Sequence, residues 1–288
     1  LTERFILKYF TNDLLAPLHD GAQFPVDSGR MAFTTDSYVV QPAFFPGGNI
    51  GKLAVCGTVN DLAMNGAVPQ YLSCGLILEE GIPFDELETI LSTMSDMAKL
   101  ANVQIVTGDT KVVKKGEVDK IYINTAGIGM IPDGINIGPN VVKPNMDIIL
   151  SGSIGDHSIA VMGQRFGLEL SDSVKTDCAP LNHMVHAVLN AVGPQVALLR
   201  DPTRGGVGTV LKEIAEQSQV GIKVEESKFI IHDEVRSVCD ILGYDPLYLA
   251  NEGKCIFVVD PSVTNDVLDI LHSYPEGREA THIGVTMD

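Results

Sequence analysis

The sequence predicts a mixed α/β fold that is divided into two domains. Apolar runs of strand length alternate with amphipathic helical segments along the chain, a pattern typical of α/β proteins. The 288 residues, of which 45% are hydrophobic, suffice for two domains of ordinary size. A connector rich in Gly, Pro and Asn lies between Pro132 and Pro144. We therefore predict an N-terminal domain over residues 1–140 and a C-terminal α/β domain over residues 141–288.

The first domain begins with a helical pattern and continues with alternating elements. Apolar residues recur at helical spacing over residues 3–10. A Gly-rich loop leads into a long helix, for which Asn49 is a candidate N-terminal cap and Gly66 a stop signal. The other elements predicted for this domain are a strand over 32–40, a strand over 71–80, an amphipathic helix over 83–103, and strands over 103–107 and 121–131.

The second domain continues the alternation of strands and helices. Its predicted strands cover residues 147–151, 195–199, 221–224 and 254–259. Its predicted helices cover residues 157–166, 180–192, 207–218, 232–242 and 261–273. No short-period repeat and no low-complexity tract is present in the sequence, so a repeat architecture is excluded.

Charge and cysteine content exclude several classes of protein. With 20 Lys plus Arg against 37 Asp plus Glu, the formal net charge is −17, and such a surface repels phosphate backbones and anionic lipids. We therefore expect neither nucleic acid nor a membrane as a partner. Five widely spaced cysteines without a CxxC pair fit neither a disulfide framework nor a zinc site. No stretch reaches the roughly 20 apolar residues that span a bilayer. These features predict a cytoplasmic protein, and the missing initial Met leads us to expect that residues are absent from one or both ends.

Acidic residues recur in four segments near predicted element ends. The segments are TTDSY with Asp36, TVNDLAM with Asn60 and Asp61, TGDTK with Asp109 and Lys111, and DPTRGG with Asp201 and Arg204. Any one of these aspartates alone is better explained as a helix cap or a strand end. Asp61 differs, because it lies within a predicted apolar helix, where an ionised carboxylate is costly unless it is paired or binds a metal. Several convergent carboxylates would suit Mg²⁺, which prefers oxygen ligands and bridges to phosphates.

Glycine pairs before predicted helices are candidate phosphate cradles. Gly47-Gly48 precedes the first long helix and Gly205-Gly206 precedes a later one. Backbone N–H groups at helix N-termini bind phosphate oxygens well. Neither pair belongs to a GxxxxGK[ST] loop or a GxGxxG fingerprint, so the sequence supports neither a P-loop nor a Rossmann site.

Lys111, Glu252 and His157 are the remaining candidates for chemistry. Lys111 follows an apolar run at a predicted strand end, and Glu252 lies in LANEGK. By default Lys111 is a solvated strand end; in a catalytic site it would polarise an oxygen while Glu252 moves protons. His157, in GDHSIA at a predicted helix start, is by default a capping or core histidine, with a site-lining role as the alternative.

An ordered series of segments resembles one known family. The resemblance to the HypE hydrogenase maturation factors, within the aminoimidazole-ribonucleotide-synthetase-like (PurM-like) superfamily, is carried by TTDSYVVQPAFFPGGNIGKLAVCGTVNDLAMNGAVP, LILEEG, VTGDTKVV, GDHSIAVM, LRDPTRGGV and LANEGK. It runs from Thr34 to Lys254, which is most of the chain. An ordered match of this length is far more specific than any single motif.

The resemblance implies a fold, an activity and a set of partners. The fold has two α/β domains, of which the N-terminal one pairs with its copy in a homodimer to form a β-barrel, with ATP in the cleft. The implied activity is an ATP-dependent dehydration, in which a carboxamide on the protein's own C-terminal cysteine becomes a thiocyanate. The product supplies cyanide to the iron of a [NiFe]-hydrogenase. The implied partners are the carbamoyltransferase HypF and the HypC-HypD iron-ligand assembly complex.

The same resemblance implies roles for individual residues. Metal ligands for Mg²⁺ would be Asp36, Asp61 and Asp109. Residues that bind ATP or its phosphates would be Gly47, Gly48, Asn60, Asp201, Arg204 and Asn251. Lys111 and Glu252 would face the carboxamide as catalytic residues.

Two other classes of function stay open on the sequence. Thiamine-monophosphate kinases, aminoimidazole-ribonucleotide synthetases and selenophosphate synthetases share the Asp-rich cleft, although FFPGGNIG, GDTKVV and LANEGK favour the maturation factor. A non-catalytic scaffold of the same fold is the other alternative, and the charged residues at every cleft position argue against it. The sequence departs from the family at its end, where the expected terminal Cys is not seen and the last cysteine is Cys255. An expected Gly-rich segment upstream of the first helix is also not seen.

Overall fold

The computed structural model describes residues 22–26, 29–168 and 174–288. It confirms the mixed α/β class, because strands and helices alternate along these ranges. The helix predicted over residues 3–10 lies outside the described residues. Within the described ranges, no helix is long and apolar enough to cross a bilayer.

The first half of the chain forms one sheet with two helices on one face. Its strands are β1 (Ala22–Val26), β2 (Gly29–Tyr38), β5 (Val68–Glu79), β6 (Gln104–Val113) and β7 (Ile121–Ile131), in the order β1-β2-β7-β5-β6. A short hairpin of β3 (Phe44–Phe45) and β4 (Gly48–Asn49) precedes helix α1 (Ile50–Met64), and helix α2 (Phe84–Leu100) connects β5 to β6. Neighbouring strands are antiparallel except β5 and β6, which are parallel.

Helix α1 begins where its cap was predicted. The Asn49 side-chain oxygen accepts hydrogen bonds from the N–H groups of Gly51 (2.9 Å) and Lys52 (3.2 Å). These bonds satisfy two backbone donors that a helix start otherwise leaves without partners. The helix is buried almost throughout, because it packs on the first sheet and also against the second half of the chain.

The second half forms another sheet with helices on both faces. Its strands are β8 (Asp147–Leu150), β9 (Val196–Arg200), β10 (Gly221–Val224), β11 (Ile256–Val259) and β12 (Thr281–Met287), in the order β10-β12-β8-β11-β9. Its helices are α3 (Asp156–Phe166), α4 (Asn182–Val192), α5 (Gly206–Ser218), α6 (Asp233–Leu242) and α7 (Thr264–His272). Alternate residues of β11 enter different cores: Phe257 joins the core shared with α1 and α4, and Ile256 joins the core against α5.

Three features of the fold differ from the predictions. Strand β6 continues to Val113, whereas a strand ending at residue 107 was predicted, so Asp109 and Lys111 lie within the strand. The charged residues do not end it, because β6 is a sheet edge whose side chains are exposed to solvent. Strands β1 and β12 were missed altogether.

The boundary between residues 140 and 141 stays a prediction, and the two sheets lie on either side of it.

The β-barrel implied by the resemblance is not confirmed. Among the described residues, the first sheet is open, with β1 and β6 as its edges. Its face opposite the helices carries a cross-strand row of Phe33, Ile128 and Tyr71, and Phe33 and Tyr71 are 42% and 43% exposed. A barrel would require a second copy to cover this open face.

Candidate active site

A cavity of about 570 Å³ lies between the two halves of the chain. It is lined by the end of β2, one side of α1, the start of α3 and the segments 201–205 and 248–252. These elements bring together seven of the residues that the sequence singled out: Asp36, Asp61, His157, Asp201, Arg204, Gly205 and Glu252. A larger groove of about 1150 Å³ runs between α2 and β6. Because its lining is mainly apolar and neutral, with only Lys99 and Asp109 as charged residues, the smaller cavity is the better candidate for catalysis.

Asp36 on β2 and Asp61 on α1 line one wall of the cavity. Along β2, Thr34, Asp36 and Tyr38 alternate onto the side that faces α1, because side chains two residues apart share a face of a strand. The Thr34 hydroxyl donates to Asp61 Oδ2 at 2.8 Å. The structure thus confirms that Asp61 lies within a buried helix, and it places this carboxylate on the cavity wall.

Asp201 and Arg204 come from the turn between β9 and α5. Asp201 is buried, and burial raises the pKa of its carboxyl to about 6, although the Arg200 guanidinium opposes the rise. Arg204 is exposed at the cavity rim. Gly206, which starts α5 at φ 65°, has room for no side chain, because a Cβ there would meet the carbonyl oxygens of Leu247 (2.5 Å) and Leu249 (2.6 Å). The turn is therefore held tightly against the segment that carries Glu252.

Glu252 lines the cavity, is partly buried, and contacts a second carboxylate that the sequence did not single out. The Glu252 N–H donates to Asp177 Oδ1 at 3.1 Å, and the Asp177 side chain is only 3% exposed. Burial raises the pKa of Glu252 well above its usual range, and the carboxylates of Asp177, Asp201 and Asp36 raise it further. Lys254, 4.0 Å from Asp177, partly offsets the charge of that carboxylate. The raised pKa makes Glu252 a stronger base than an exposed glutamate, which suits it to proton transfer.

Tyr38 is a further cavity residue that sequence analysis missed. It is 8% exposed, and its hydroxyl lies 3.4 Å from Thr58 Oγ1. Its hydroxyl packs directly on Gly57, which explains a glycine within α1, since a side chain there would displace the phenol. Burial, together with the Asp36 carboxylate, raises the pKa of Tyr38 well above its usual value, so this phenol stays neutral.

Asn60 and Asn251 hold the cavity walls together. The Asn60 amide donates to the Ala179 carbonyl (3.0 Å) and accepts from the Leu181 N–H (2.8 Å), which joins α1 to the second half of the chain. The Asn251 amide accepts from the Gly155 N–H (2.8 Å) and donates to the carbonyl oxygens of Pro202 (3.1 Å) and Leu249 (3.0 Å). Neither amide lines the cavity. A contact of these two amides with ATP stays a prediction, whereas the hydrogen bonds by which they join segments of the chain are present in the structure.

Sequence comparison identifies both halves of the chain. The family profile described as AIR synthase related protein, N-terminal domain, matches residues 18–131, and that of the C-terminal domain matches residues 143–288. A protein of Rhizobium leguminosarum bv. viciae named carbamoyl dehydratase HypE is 49% identical over 284 residues, which are 99% of this chain and 81% of that protein. The chain belongs to the HypE family. That family is one of carbamoyl dehydratases, and the superfamily is that of AIR synthase.

Solved structures agree with this assignment. The structure titled as a HypE-HypF complex superimposes with a TM-score of 0.95 at 45% identity and covers 100% of this chain and 93% of that one. HypE in complex with ATP superimposes with a TM-score of 0.89 at 46% identity, covering 100% and 85%. Thiamine monophosphate kinase from Aquifex aeolicus is only 17% identical with a TM-score of 0.72, over 98% of this chain and 92% of that one, which shows a shared fold alone.

The structure does not bring Asp109 and Lys111 to the cavity of the same subunit. Lys111 lies opposite Ile77, and Ile77 is 40% exposed on the face of the sheet that the helices leave open. Asp36 points to the other face, since its partner Thr125 is buried against α1. Between Asp36 on β2 and Asp109 on β6 lie two strands, a separation of roughly 14 Å. Asp109 and Lys111 instead form an exposed ion pair at 3.4 Å.

Gly47 and Gly48 also lie outside the cavity. Gly47 has a positive φ of 85° in the β3–β4 turn, and a Cβ on it would lie 3.0 Å from Lys175 and 3.2 Å from Thr176. The Thr176 N–H donates to the Pro46 carbonyl at 2.9 Å, so this turn is packed against the chain. The glycines permit close packing here, and their predicted contact with phosphate stays a prediction.

His157 lines the cavity as a buried, neutral residue. Its Nδ1 lies 2.8 Å from Thr176 Oγ1, and its ring meets that of Phe45 edge to face at a centroid distance of 5.7 Å. Burial lowers the pKa of His157 to about 4, so it does not supply positive charge for phosphate at neutral pH.

The buried His157 makes the fold sensitive to acid. Because the folded-state pKa is about 4 and the unfolded value about 6.5, this residue favours the folded state fully above pH 6.5, and that contribution decreases as the pH falls toward 4. The loss should reach up to about 3 kcal/mol. We expect His157→Asn to reduce the decrease in unfolding free energy between pH 7 and pH 4.5, measured by urea denaturation. His186→Asn, on the partly exposed side of α4, should retain the wild-type decrease; equal decreases in all three proteins would contradict the assignment.

Proposed function

We propose that this chain is an ATP-dependent carbamoyl dehydratase that converts a carboxamide on its own C-terminal cysteine into a thiocyanate for [NiFe]-hydrogenase maturation. The observation that carries the proposal is Glu252, a carboxyl with a raised pKa in a cavity that is also lined by Asp36, Asp61 and Arg204. Relatives named carbamoyl dehydratase HypE support the dehydration, and one named hydrogenase expression/formation protein HupE supports the role in hydrogenase maturation.

The chemistry requires activation of an amide oxygen and loss of two protons from nitrogen. The carboxamide oxygen attacks the γ-phosphorus of ATP, ADP leaves, and the nitrogen loses its first proton to give an iso-urea-like phosphate. The nitrogen then loses its second proton, the C–O bond breaks, and phosphate leaves as the nitrile forms. We assign proton acceptance to Glu252, because a base must lie near the nitrogen and burial raises the pKa of this carboxyl well above its usual range, which makes it a stronger base.

ATP and Mg²⁺ fit the donor groups of the cavity. Arg204 offers a bidentate phosphate contact at the rim, and the start of α5 at Gly205 offers backbone N–H groups. In the part of the chain that is described, no group of three or more acidic, Cys or His side chains can hold a metal alone. Mg²⁺ needs only one or two carboxylates when phosphates and water complete its shell, and Asp36 and Asp61 can supply them. When bound, the ion would neutralise charge on the phosphates.

Direct tests of the reaction and of the metal are available. Intact-protein mass spectrometry of the full-length chain, loaded by the carbamoyltransferase and given ATP, should show gain of a carboxamide followed by loss of one water. A loaded tail without loss of water would reject the dehydratase assignment. For the metal, calorimetry should show that Asp61→Asn removes most of the Mg²⁺ dependence of ATP binding, a result independent of turnover.

We further propose a homodimer in which two copies cover each other's open sheet face. The row of Phe33, Ile128 and Tyr71 and the exposed strand β6 lie on that face, and monomers rarely expose contiguous apolar surface of this kind. In such a dimer, Asp109 and Lys111 could reach only the cavity of the other copy, because they point away from the cavity of their own. This arrangement supports the role of Lys111 at the carboxamide oxygen.

The dimer should dissociate when charge enters the open face. We expect Tyr71→Asp to shift the mass measured by light scattering from dimer to monomer, because an ionised carboxylate cannot be buried there without a partner. Phe84→Asp is the matched control, since Phe84 is 87% exposed at the start of α2, on the other side of the sheet. A Tyr71→Asp protein that remains dimeric would place the interface elsewhere.

Mixed dimers test whether the active site is shared. Lys111→Ala and Glu252→Gln proteins, each inactive alone, should regain activity when refolded together if one cavity takes Lys111 from one copy and Glu252 from the other. Failure to complement, with mixed dimers demonstrated by mass, would assign both residues to a single subunit or remove Lys111 from the mechanism.

The proposal extends to the partners and the location of the protein. A solved complex titled HypE-HypF supports HypF as the carbamoyl donor, and the HypC-HypD complex is the proposed acceptor of cyanide. A cytoplasmic location is supported by the five cysteines, all of which are free thiols. Thiamine monophosphate kinase shares only its fold with this chain, at 17% identity, and a non-catalytic scaffold would be favoured only if the loaded chain failed to turn over ATP.

A further inference from the structure

A chain of hydroxyl groups leads from the cavity wall into the core beneath it. Tyr38 Oη lies 3.4 Å from Thr58 Oγ1, Thr58 Oγ1 lies 2.6 Å from Thr125 Oγ1, and Thr125 Oγ1 lies 2.8 Å from the Ala54 carbonyl oxygen. Both threonines are completely buried, and Tyr38 is the member that lines the cavity. The chain therefore connects an active-site phenol to a fixed acceptor on helix α1.

The direction of every proton in this chain is fixed by its inner end. A carbonyl oxygen only accepts, so the single proton of Thr125 points to Ala54. Thr58 must then donate to Thr125, since two hydroxyl oxygens at 2.6 Å need one proton between them. With the proton of Thr58 committed, Tyr38 is the donor in the hydrogen bond between the two hydroxyls, whose oxygens are 3.4 Å apart. In that arrangement the phenolic proton of Tyr38 points away from the cavity, and a lone pair of its oxygen is left for a donor within the cavity.

The cavity around Tyr38 contains carboxylates, which accept hydrogen bonds and are also bases. The phenol oxygen of Tyr38 differs from them because it is a neutral acceptor. Asp36, Asp61 and Glu252 line the same cavity as Tyr38. A carboxylate can remove a proton from a bound N–H group, whereas a neutral phenol oxygen can only hold it. An NH₂ group with one hydrogen on Tyr38 and the other directed to Glu252 would lose protons in a defined order.

We infer that Tyr38 is a positioning residue that accepts a hydrogen bond from the NH₂ group of the substrate carboxamide. The inference rests on the proposed dehydration, because that reaction has a carboxamide NH₂ group that must give its protons to Glu252. It also gives the site a means of selection: an amide NH₂ is a donor and is accepted, whereas a carboxylate or an ester oxygen in the same place would face another lone pair.

Three substitutions separate this role from simple packing. Tyr38→Phe removes the acceptor and keeps the ring. Thr58→Val is nearly isosteric but removes the hydroxyl to which Tyr38 donates. The phenolic proton of Tyr38 can then turn into the cavity and oppose the NH₂ group. Thr58→Ser keeps a hydroxyl in the chain of hydroxyl groups and is the conservative variant that should preserve the rate. Tyr38→Phe and Thr58→Val should each slow water loss by about ten-fold, the effect of one hydrogen bond, while Thr58→Ser keeps most of the rate.

The main measurement is single-turnover water loss in the full-length chain loaded with carboxamide, followed by intact mass. Each variant is also titrated with ATP by calorimetry and unfolded by heat. The expected result is a slower chemical step with unchanged ATP affinity. Wild-type rates in Tyr38→Phe, or in Thr58→Val, would overturn the inference, and so would a parallel loss of ATP affinity, which would assign the acceptor to a nucleotide hydroxyl. If the loaded wild-type chain itself loses no water, the proposed function fails, and that outcome is distinguishable from all of these.

Discussion

Glu252→Gln should abolish nitrile formation and leave ATP binding intact. Glutamine is nearly isosteric with glutamate and keeps hydrogen-bonding capacity, but it cannot accept a proton at neutral pH. Loss of a positioned general base typically slows a reaction by about 10²- to 10⁴-fold. The expected result is a chain that acquires the carboxamide from the carbamoyltransferase and retains it in the presence of ATP, with no loss of water by intact mass.

The pH dependence gives a second readout of the same residue. Because burial raises the pKa of Glu252 well above its usual range, the deprotonated form is depleted as the pH falls through that raised value. The rate of water loss should therefore rise with pH at values well above the ordinary glutamate pKa of about 4.3. This limb should vanish from the residual rate of Glu252→Gln.

Two controls make the result specific. Glu279→Gln removes a carboxylate that is 43% exposed and lies outside the cavity, and it should leave the rate unchanged. Glu252→Asp keeps a carboxylate at a shorter reach and should retain part of the activity. If Glu252→Gln dehydrates its carboxamide at the wild-type rate, the base must be sought among the other cavity carboxylates, with Asp201 the first candidate, because burial raises its pKa to about 6.

The sequence predicted those site residues whose position follows from a local pattern. Asp61 was identified because a carboxylate inside an apolar helix needs a functional or structural partner, and the structure places it on the cavity wall. Asp36, Asp201 and Arg204 converge on the same cavity. The fold class followed from the alternation of elements, and the Asn49 cap from its place before a periodic apolar run.

The positions of other site residues depend on contacts between segments that are distant in the sequence. Whether Asp109 faces Asp36 is decided by the order of four strands and by the alternation of side chains, neither of which is visible in TGDTK. Tyr38 and Asp177 were missed because a tyrosine in a strand and an aspartate in a loop are ordinary there. Their roles arise from Thr58 and Glu252, residues distant in sequence. The spacing of Tyr38 two residues after Asp36 was the one available signal.

Asn251→Ala should destabilise the protein by about 3 kcal/mol or more. Its amide is fully buried and makes three hydrogen bonds, to Gly155, Pro202 and Leu249. Removing one partner of a buried hydrogen bond costs about 1 to 3 kcal/mol for each group left unsatisfied, and the Gly155 N–H loses its acceptor outright. Urea denaturation should show the loss as a lower midpoint with an unchanged slope.

The comparison of two further variants decides what Asn251 does. Asn251→Asp keeps the acceptor for Gly155 but loses both donors and adds a buried charge, so it should also destabilise the fold strongly. Asn190→Ala, at an exposed position on α4, should change the unfolding free energy by less than about 0.5 kcal/mol. The three segments that Asn251 joins carry His157, Asp201 and Glu252. If Asn251→Ala loses both stability and activity, Asn251 acts by holding the walls of the cavity together. A stable Asn251→Ala protein that has lost only ATP affinity would instead support the nucleotide contact that the sequence predicted.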